Sequence, residues 1–115
     1  MGIDHLSQGI LAVDLLPEPE MCTELETIAN LVRCGSDCNV VVDFSSVDIV
    51  TSSSISKILK LRKLLGDSGH WLVLCNVSSS TKGIFTITGL DGVLEFTPDR
   101  FAALAEIKHA QKVKV

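Results

Sequence analysis

Val40-Val-Val-Asp-Phe-Ser-Ser-Val-Asp-Ile-Val-Thr-Ser-Ser-Ser-Ile55 runs from an apolar β-branched segment into a cluster of hydroxyls. Its first part, extended to Asn39–Ser45, reads as a central strand covered on both faces, because β-branched residues without polar alternation suit a doubly buried sheet. A short loop, Ser46 to Thr51, separates it from an amphipathic helix. Ile55, Ile58, Leu59, Leu61 and Leu65 recur at helical spacing, while Lys57, Lys60 and Lys63 mark a polar side. Gly66-Asp-Ser-Gly69 closes that helix, and Trp71-Leu-Val-Leu-Cys-Asn-Val77 reads as the next buried strand. Strand, helix and strand in this order require a parallel pair joined by a right-handed crossover.

The pattern extends in both directions. Gly9-Ile-Leu-Ala-Val-Asp-Leu-Leu16 is an apolar run bounded by Gly and Pro, the signature of a buried strand. Pro17-Glu-Pro-Glu20 then starts a helix whose stripe is Met21, Leu25, Ile28, Ala29 and Val32, ending near Gly35. Glu18, Glu20, Glu24 and Glu26 are expected on its solvated faces. Downstream, Ser78 to Thr81 can cap a short helix through Ile84, Phe85 and Ile87, stopped at Gly89. Its β-branched content also permits a strand. Val93-Leu-Glu-Phe96 reads as a short last strand, and Thr97-Pro-Asp-Arg100 caps a final helix with Phe101, Leu104, Ala105 and Ile107 inward. The basic tail from Lys108 to Val115 is expected to fray. The expected fold is a single-domain α/β layered structure over residues 1–115, with its core at about 9–107. It has a mostly parallel, four- to five-stranded sheet and about four helices.

Composition excludes several classes of function. The chain has 115 residues, 46% hydrophobic and 21% charged, which suits one core without metal or disulfide staples. No apolar run is long enough to span a membrane, and no basic segment followed by an apolar one opens the chain. Cytoplasm is therefore the expected location. A formal net charge of −4 argues against general nucleic-acid binding. The charge is uneven: one Arg stands against nine acids up to Val50, and nine bases against five acids from Thr51 onward. That asymmetry suggests a polar partner surface.

Cys22, Cys34, Cys38 and Cys75 are read as reduced thiols of an intracellular protein. Cys34-Gly-Ser-Asp-Cys38 has the spacing of half a zinc site, but no second Cys or His pair completes four ligands. No metal and no cofactor are expected. His5, His70 and His109 are isolated in sequence, no nucleophile–base set can be assembled, and no glycine-rich phosphate loop is present. The chain reads as a non-enzyme.

The stretch Asp48-Ile-Val-Thr-Ser-Ser-Ser-Ile-Ser56 is the candidate site. It falls at the carboxyl end of a parallel strand, where α/β sheets place their ligands and partners. Free backbone N–H groups and the positive end of the helix dipole would stabilise a phosphate on a serine here. Such a phosphate adds about −1.5 to −2 charge at neutral pH, enough to repel a docked partner. A plain N-cap at Thr51 or Ser52 would account for the same residue types.

The order of these features resembles the signature of STAS domains, the family of anti-sigma factor antagonists and stressosome subunits. That signature is an apolar strand ending in Asp, a short loop, then Asp-Ser-Ser-Gly-Leu-Gly at a helix start. Asn76-Val-Ser-Ser, the pair Thr88-Gly-Leu90 and the short strand after it are similar to the family's second half. The resemblance implies a regulator that binds a serine kinase of the anti-sigma type and is released when that kinase phosphorylates it. By position the acceptor is Ser52, with Thr51 and Ser53 as alternatives, and no nucleic acid or membrane is a partner. Asp43 matches the acid that ends the family's strand and either orders the loop or faces the kinase's nucleotide site. Asp43, Asp48, Thr51, Ser52, Ser53, Ser54 and Ser56 form the expected partner-binding set. Thr51 stands where the family has Asp, while Ser54 and Ser56 replace its two glycines. These changes leave open an alternative, a non-switching scaffold module that assembles a larger, stressosome-like or self-associated complex.

Overall fold

A computed structural model describes residues 2–7, 9–34 and 38–113, with side chains over 9–34 and 38–108. Along the chain run β1 (Gly2–Ser7), β2 (Ile10–Asp14), α1 (Glu20–Arg33), β3 (Asn39–Asp43) and α2 (Ser52–Asp67). They are followed by β4 (Leu72–Cys75), α3 (Ser79–Ile87), β5 (Glu95–Thr97) and α4 (Arg100–Val113). The five strands form one sheet in sequence order, with β1 antiparallel to β2 and the β2-β3-β4-β5 run parallel. Gly9, at φ +81°, lies in the turn between β1 and β2, a backbone region where a Cβ would be strained. The four-helix, mostly parallel α/β architecture is the one expected.

Strand alternation divides the core in two. Leu11, Val13, Val40, Val42, Leu72 and Leu74 enter the larger cluster, with Leu25 and Ile28 of α1, Ile58 and Leu61 of α2, and Phe85 of α3. Ile10, Val41, Val73 and Cys75 point the other way and pack on Ala103 and Ile107 of α4. Every side chain of β3 is buried, the consequence of helices on both faces.

Several local expectations are corrected. β1 was not among the expected strands; Gly2–Ser7 mixes charge and apolar residues without a clean period, and only pairing with β2 makes it extended. Glu24 is buried rather than solvated, 3% exposed, because its Oε1 accepts the Leu16 N–H at 2.8 Å. A backbone donor in the β2–α1 connection thereby finds a partner. Phe101 is 84% exposed and Ala105 is also exposed, so the inward stripe of α4 is Ala103, Leu104 and Ile107. A helix on a narrow strip of sheet buries a narrower face than an apolar count suggests. α4 runs as helix to Val113, over most of the basic tail expected to fray; Lys108–Val113 contains neither Gly nor Pro to stop it. The opposed charges of α1 and α2 partly face each other, since Lys57 Nζ pairs with Glu26 Oε1 at 2.5 Å.

Candidate functional site

The parallel register aligns the last residues of four strands. Asp14 stands beside Asp43, Asp43 beside Cys75, and Cys75 beside Thr97. Two adjacent carboxylates at strand ends repel unless a cation lies between them. Arg100, at the start of α4, supplies it: its Nε donates to Asp43 Oδ2 at 2.9 Å, and its guanidinium also pairs with Asp14. The other oxygen of Asp43 accepts from the Ser45 N–H at 2.8 Å, the Ser45 hydroxyl at 2.5 Å and the Asn76 amide at 3.2 Å. Asn76, at φ 55°, holds a left-handed conformation that Asn tolerates better than most residues. Asp43 thus ties the end of β3 to the end of β4 and to α4. Behind it, Cys75 is buried, and burial first, then the negative charges of Asp43 and Asp99, push its thiol up to about 12. At neutral pH that sulfur stays protonated and is a poor nucleophile.

After β3 the chain turns at Phe44–Val47 and crosses to α2, with the Asp48 carbonyl accepting from the buried Thr81 hydroxyl of α3 at 3.2 Å. α2 opens with a capping box. Thr51, extended at φ −106° and ψ 166°, accepts from the Ser54 N–H, while the Ser54 hydroxyl accepts from the Thr51 N–H at 2.8 Å. The same Ser54 hydroxyl donates to the Thr51 carbonyl at 2.8 Å. Two otherwise orphaned backbone donors are satisfied reciprocally. Ser54 is fully buried by this arrangement, whereas Thr51, Ser52, Ser53 and Ser56 are exposed.

Of the seven residues expected at the site, the fold gathers all at the carboxyl end of the sheet or on the first turns of α2, but not in one role. Asp43 and Ser54 are buried and hydrogen-bonded within the protein; Asp48, Thr51, Ser52, Ser53 and Ser56 face solvent. Ser52 and Ser53 occupy the first two helical positions, next to the unpaired N–H groups of the first turn, which contains no acidic residue. Charge and geometry there favour an added anion. Arg100 and Asn76 were not anticipated. Nothing local in the sequence links them to Asp43, which lies 57 and 33 residues away. Among the described residues no cluster of three potential metal ligands forms, and no helix is long and apolar enough to cross a membrane.

The family model for the STAS domain matches residues 23–103, so the chain belongs to the STAS family. Solved structures share the fold at low sequence identity. A putative anti-sigma factor antagonist from Thermotoga maritima superposes with a TM-score of 0.80 at 14% identity, over 93% of each chain. The Bacillus cell fate determinant SpoIIAA in its phosphorylated form gives 0.70 at 14% identity, over 92% of this chain and 97% of that one. A sulfate transporter family protein from Wolinella succinogenes gives 0.76 at 13% identity, over 95% and 93%. A comparison of the sequence with curated proteins gives no match. Because regulators and a transporter family share this frame, the fold alone does not choose a function, and the residues at the head of α2 must carry the argument.

Proposed function

We propose that this protein is an anti-sigma factor antagonist-like regulator that switches partners when a serine kinase of the anti-sigma type phosphorylates Ser52. The observation that carries the reading is the position of Ser52. It is exposed at the first helical residue of α2, while the cap is made by its neighbours Thr51 and Ser54 and leaves its hydroxyl out. A phosphate there would meet free N–H groups and the positive end of the helix dipole, so it would be stabilised without refolding. It would also change the charge of the surface formed by Asp48, Thr51, Ser53 and Ser56, against which a partner would dock. Thr51 is the less suitable acceptor, because its hydroxyl accepts the Ser54 N–H that starts the helix. Ser53 is the nearer alternative. Asp43 and Ser54 act from inside, by ordering the loop and the cap. In this reading the protein works in the cytoplasm and catalyses no reaction.

Incubation with the cognate kinase and ATP, followed by mass spectrometry, should place one phosphate on Ser52. Ser52→Asp should release the kinase, and Ser52→Ala should bind it constitutively. No phosphate within Thr51–Ser54, together with kinase binding indifferent to Ser52→Asp, would refute the switch.

The replacement of the family's Asp by Thr51 favours a second reading, a scaffold module of a larger signalling complex. It removes a carboxylate from the surface a kinase would meet. That reading predicts a stable assembly by light scattering, unchanged by either Ser52 substitution.

A further inference from the structure

Glu26, Asn30 and Arg33 recur at helical spacing along one side of α1, as Lys57 and Lys60 do along one side of α2. The packed helices bring them together around a cleft of about 270 Å³, just under the ~300 Å³ at which drug-sized ligand sites begin. The rest of its lining is apolar. Leu25 and Ala29, 1% and 7% exposed, belong to the main core, so the cleft rests on a dry floor.

Charge around this cleft is unbalanced, with three cations to one acid. Lys57 is already engaged, its Nζ lying 2.5 Å from Glu26 Oε1. The Glu26 carboxyl is held below its ordinary value, first by that hydrogen bond to Lys57 and last by the charge of Lys60. Lys60 itself forms no ion pair with the described residues. Arg33 donates to the neutral Asn30 Oδ1 at 3.1 Å and likewise has no acid among them. One uncompensated cation therefore stands on each helix, above the apolar floor. A ligand with two anionic ends on an apolar link answers both charges and the floor between them. Carboxylates suit the cations, because a guanidinium binds one through two parallel N–H donors and an ammonium binds one as a point charge. Past Arg33 the carbonyl end of the α1 dipole adds negative potential, which disfavours a third carboxylate.

We infer that the α1–α2 cleft binds a short aliphatic dicarboxylate, with one carboxylate on Arg33, the other on Lys60, and the methylene link on Leu25 and Ala29. The site is separate from Ser52, which opens α2 and does not line the cleft. A ligand held by both helices ties α2 to α1 and stabilises the folded chain by mass action.

Succinate and glutarate, titrated against the full chain at constant ionic strength, should raise Tm saturably at millimolar concentration. They should also shift the backbone amide resonances of Ala29, Asn30, Arg33 and Lys60. Butyrate with one carboxylate, citrate with three, and sulfate with no apolar link should each bind about tenfold more weakly or less, a difference one charge-assisted contact can supply. Arg33→Gln and Lys60→Gln change exposed side chains, so circular dichroism should be retained while each reduces dicarboxylate binding to the butyrate level. Absence of a saturable response to both dicarboxylates at millimolar concentration would overturn the assignment. So would a response equal to that of sulfate, resonance shifts confined to other parts of the chain, or binding that survives both substitutions.

Discussion

Two polar clusters lie at the carboxyl end of the sheet, and they are built in opposite ways. Around Asp43 the carboxylate is buried and both oxygens are occupied, by Ser45, Asn76 and Arg100. At the head of α2 the cap satisfies the backbone with two side chains and leaves Ser52, Ser53 and Ser56 outside it. A saturated buried cluster can only hold the loop in place, because any new bond must break an old one. Hydroxyls beside free N–H groups can accept a new charge without disturbing the fold. Buried, saturated side chains and exposed hydroxyls therefore lie on adjacent but different residues.

The contrast can be broken first at its rigid side. Asp43→Ala leaves Arg100 beside Asp14 without its buried partner and removes the acceptor that Ser45 and Asn76 share, so a loss of about 2–4 kcal/mol is expected. Urea unfolding monitors it; a loss below about 1 kcal/mol, within the range of an ordinary hydrogen bond, would show that the cluster does not hold the domain together. The cap is the intermediate case. Thr51→Ala removes the acceptor for the Ser54 N–H and should cost about 1 kcal/mol, read as a lower midpoint in the same experiment.

Ser52→Asp should act in the other direction. A carboxylate at the first position of α2 is expected to stabilise by about 0.3–1 kcal/mol at low salt, and the gain should fade as salt is added. A destabilised Ser52→Asp protein would mean that the head of α2 does not tolerate the charge the switch requires. The smallest effect lies outside both clusters. Burial first, then contact with Glu95, raises the pKa of Glu106 above the ordinary carboxylate value. A group that binds its proton more tightly in the folded state stabilises most at low pH, and that contribution disappears as pH rises through the raised value. Tm should therefore decline less from pH 4 to pH 7 in Glu106→Gln than in the parent. Parallel curves would remove this pair from the account.

The residues around Thr51 were legible because capping is local. Donor and acceptor lie three positions apart, so Thr51, Ser54 and the helix they begin can be read from spacing. The strands of the parallel core were legible for a similar reason, as β-branched runs such as Val40–Val42 fit little except a buried strand. Even so, spacing did not show that Ser54 is sealed inside while Ser52 stands out. That depends on which side of α2 meets the sheet, and Ser54 falls on the side that also carries Ile58 and Leu61.

Sequence by itself determined the four parallel strands and the helices α1, α2 and α4, the start of α2 and its row of hydroxyls, because each depends on patterns a few residues long, whereas β1 left no such pattern. It also supplied the family signature that the STAS match over residues 23–103 bears out. Tertiary structure alone decided that Glu24 is buried, that Phe101 is exposed, and that Arg100 joins Asp14 to Asp43. It also set Arg33 beside Lys57 and Lys60 in one cleft. Burial and ion pairing of this kind depend on which surfaces the closed fold brings together, and partners tens of residues apart leave no periodic trace in the chain.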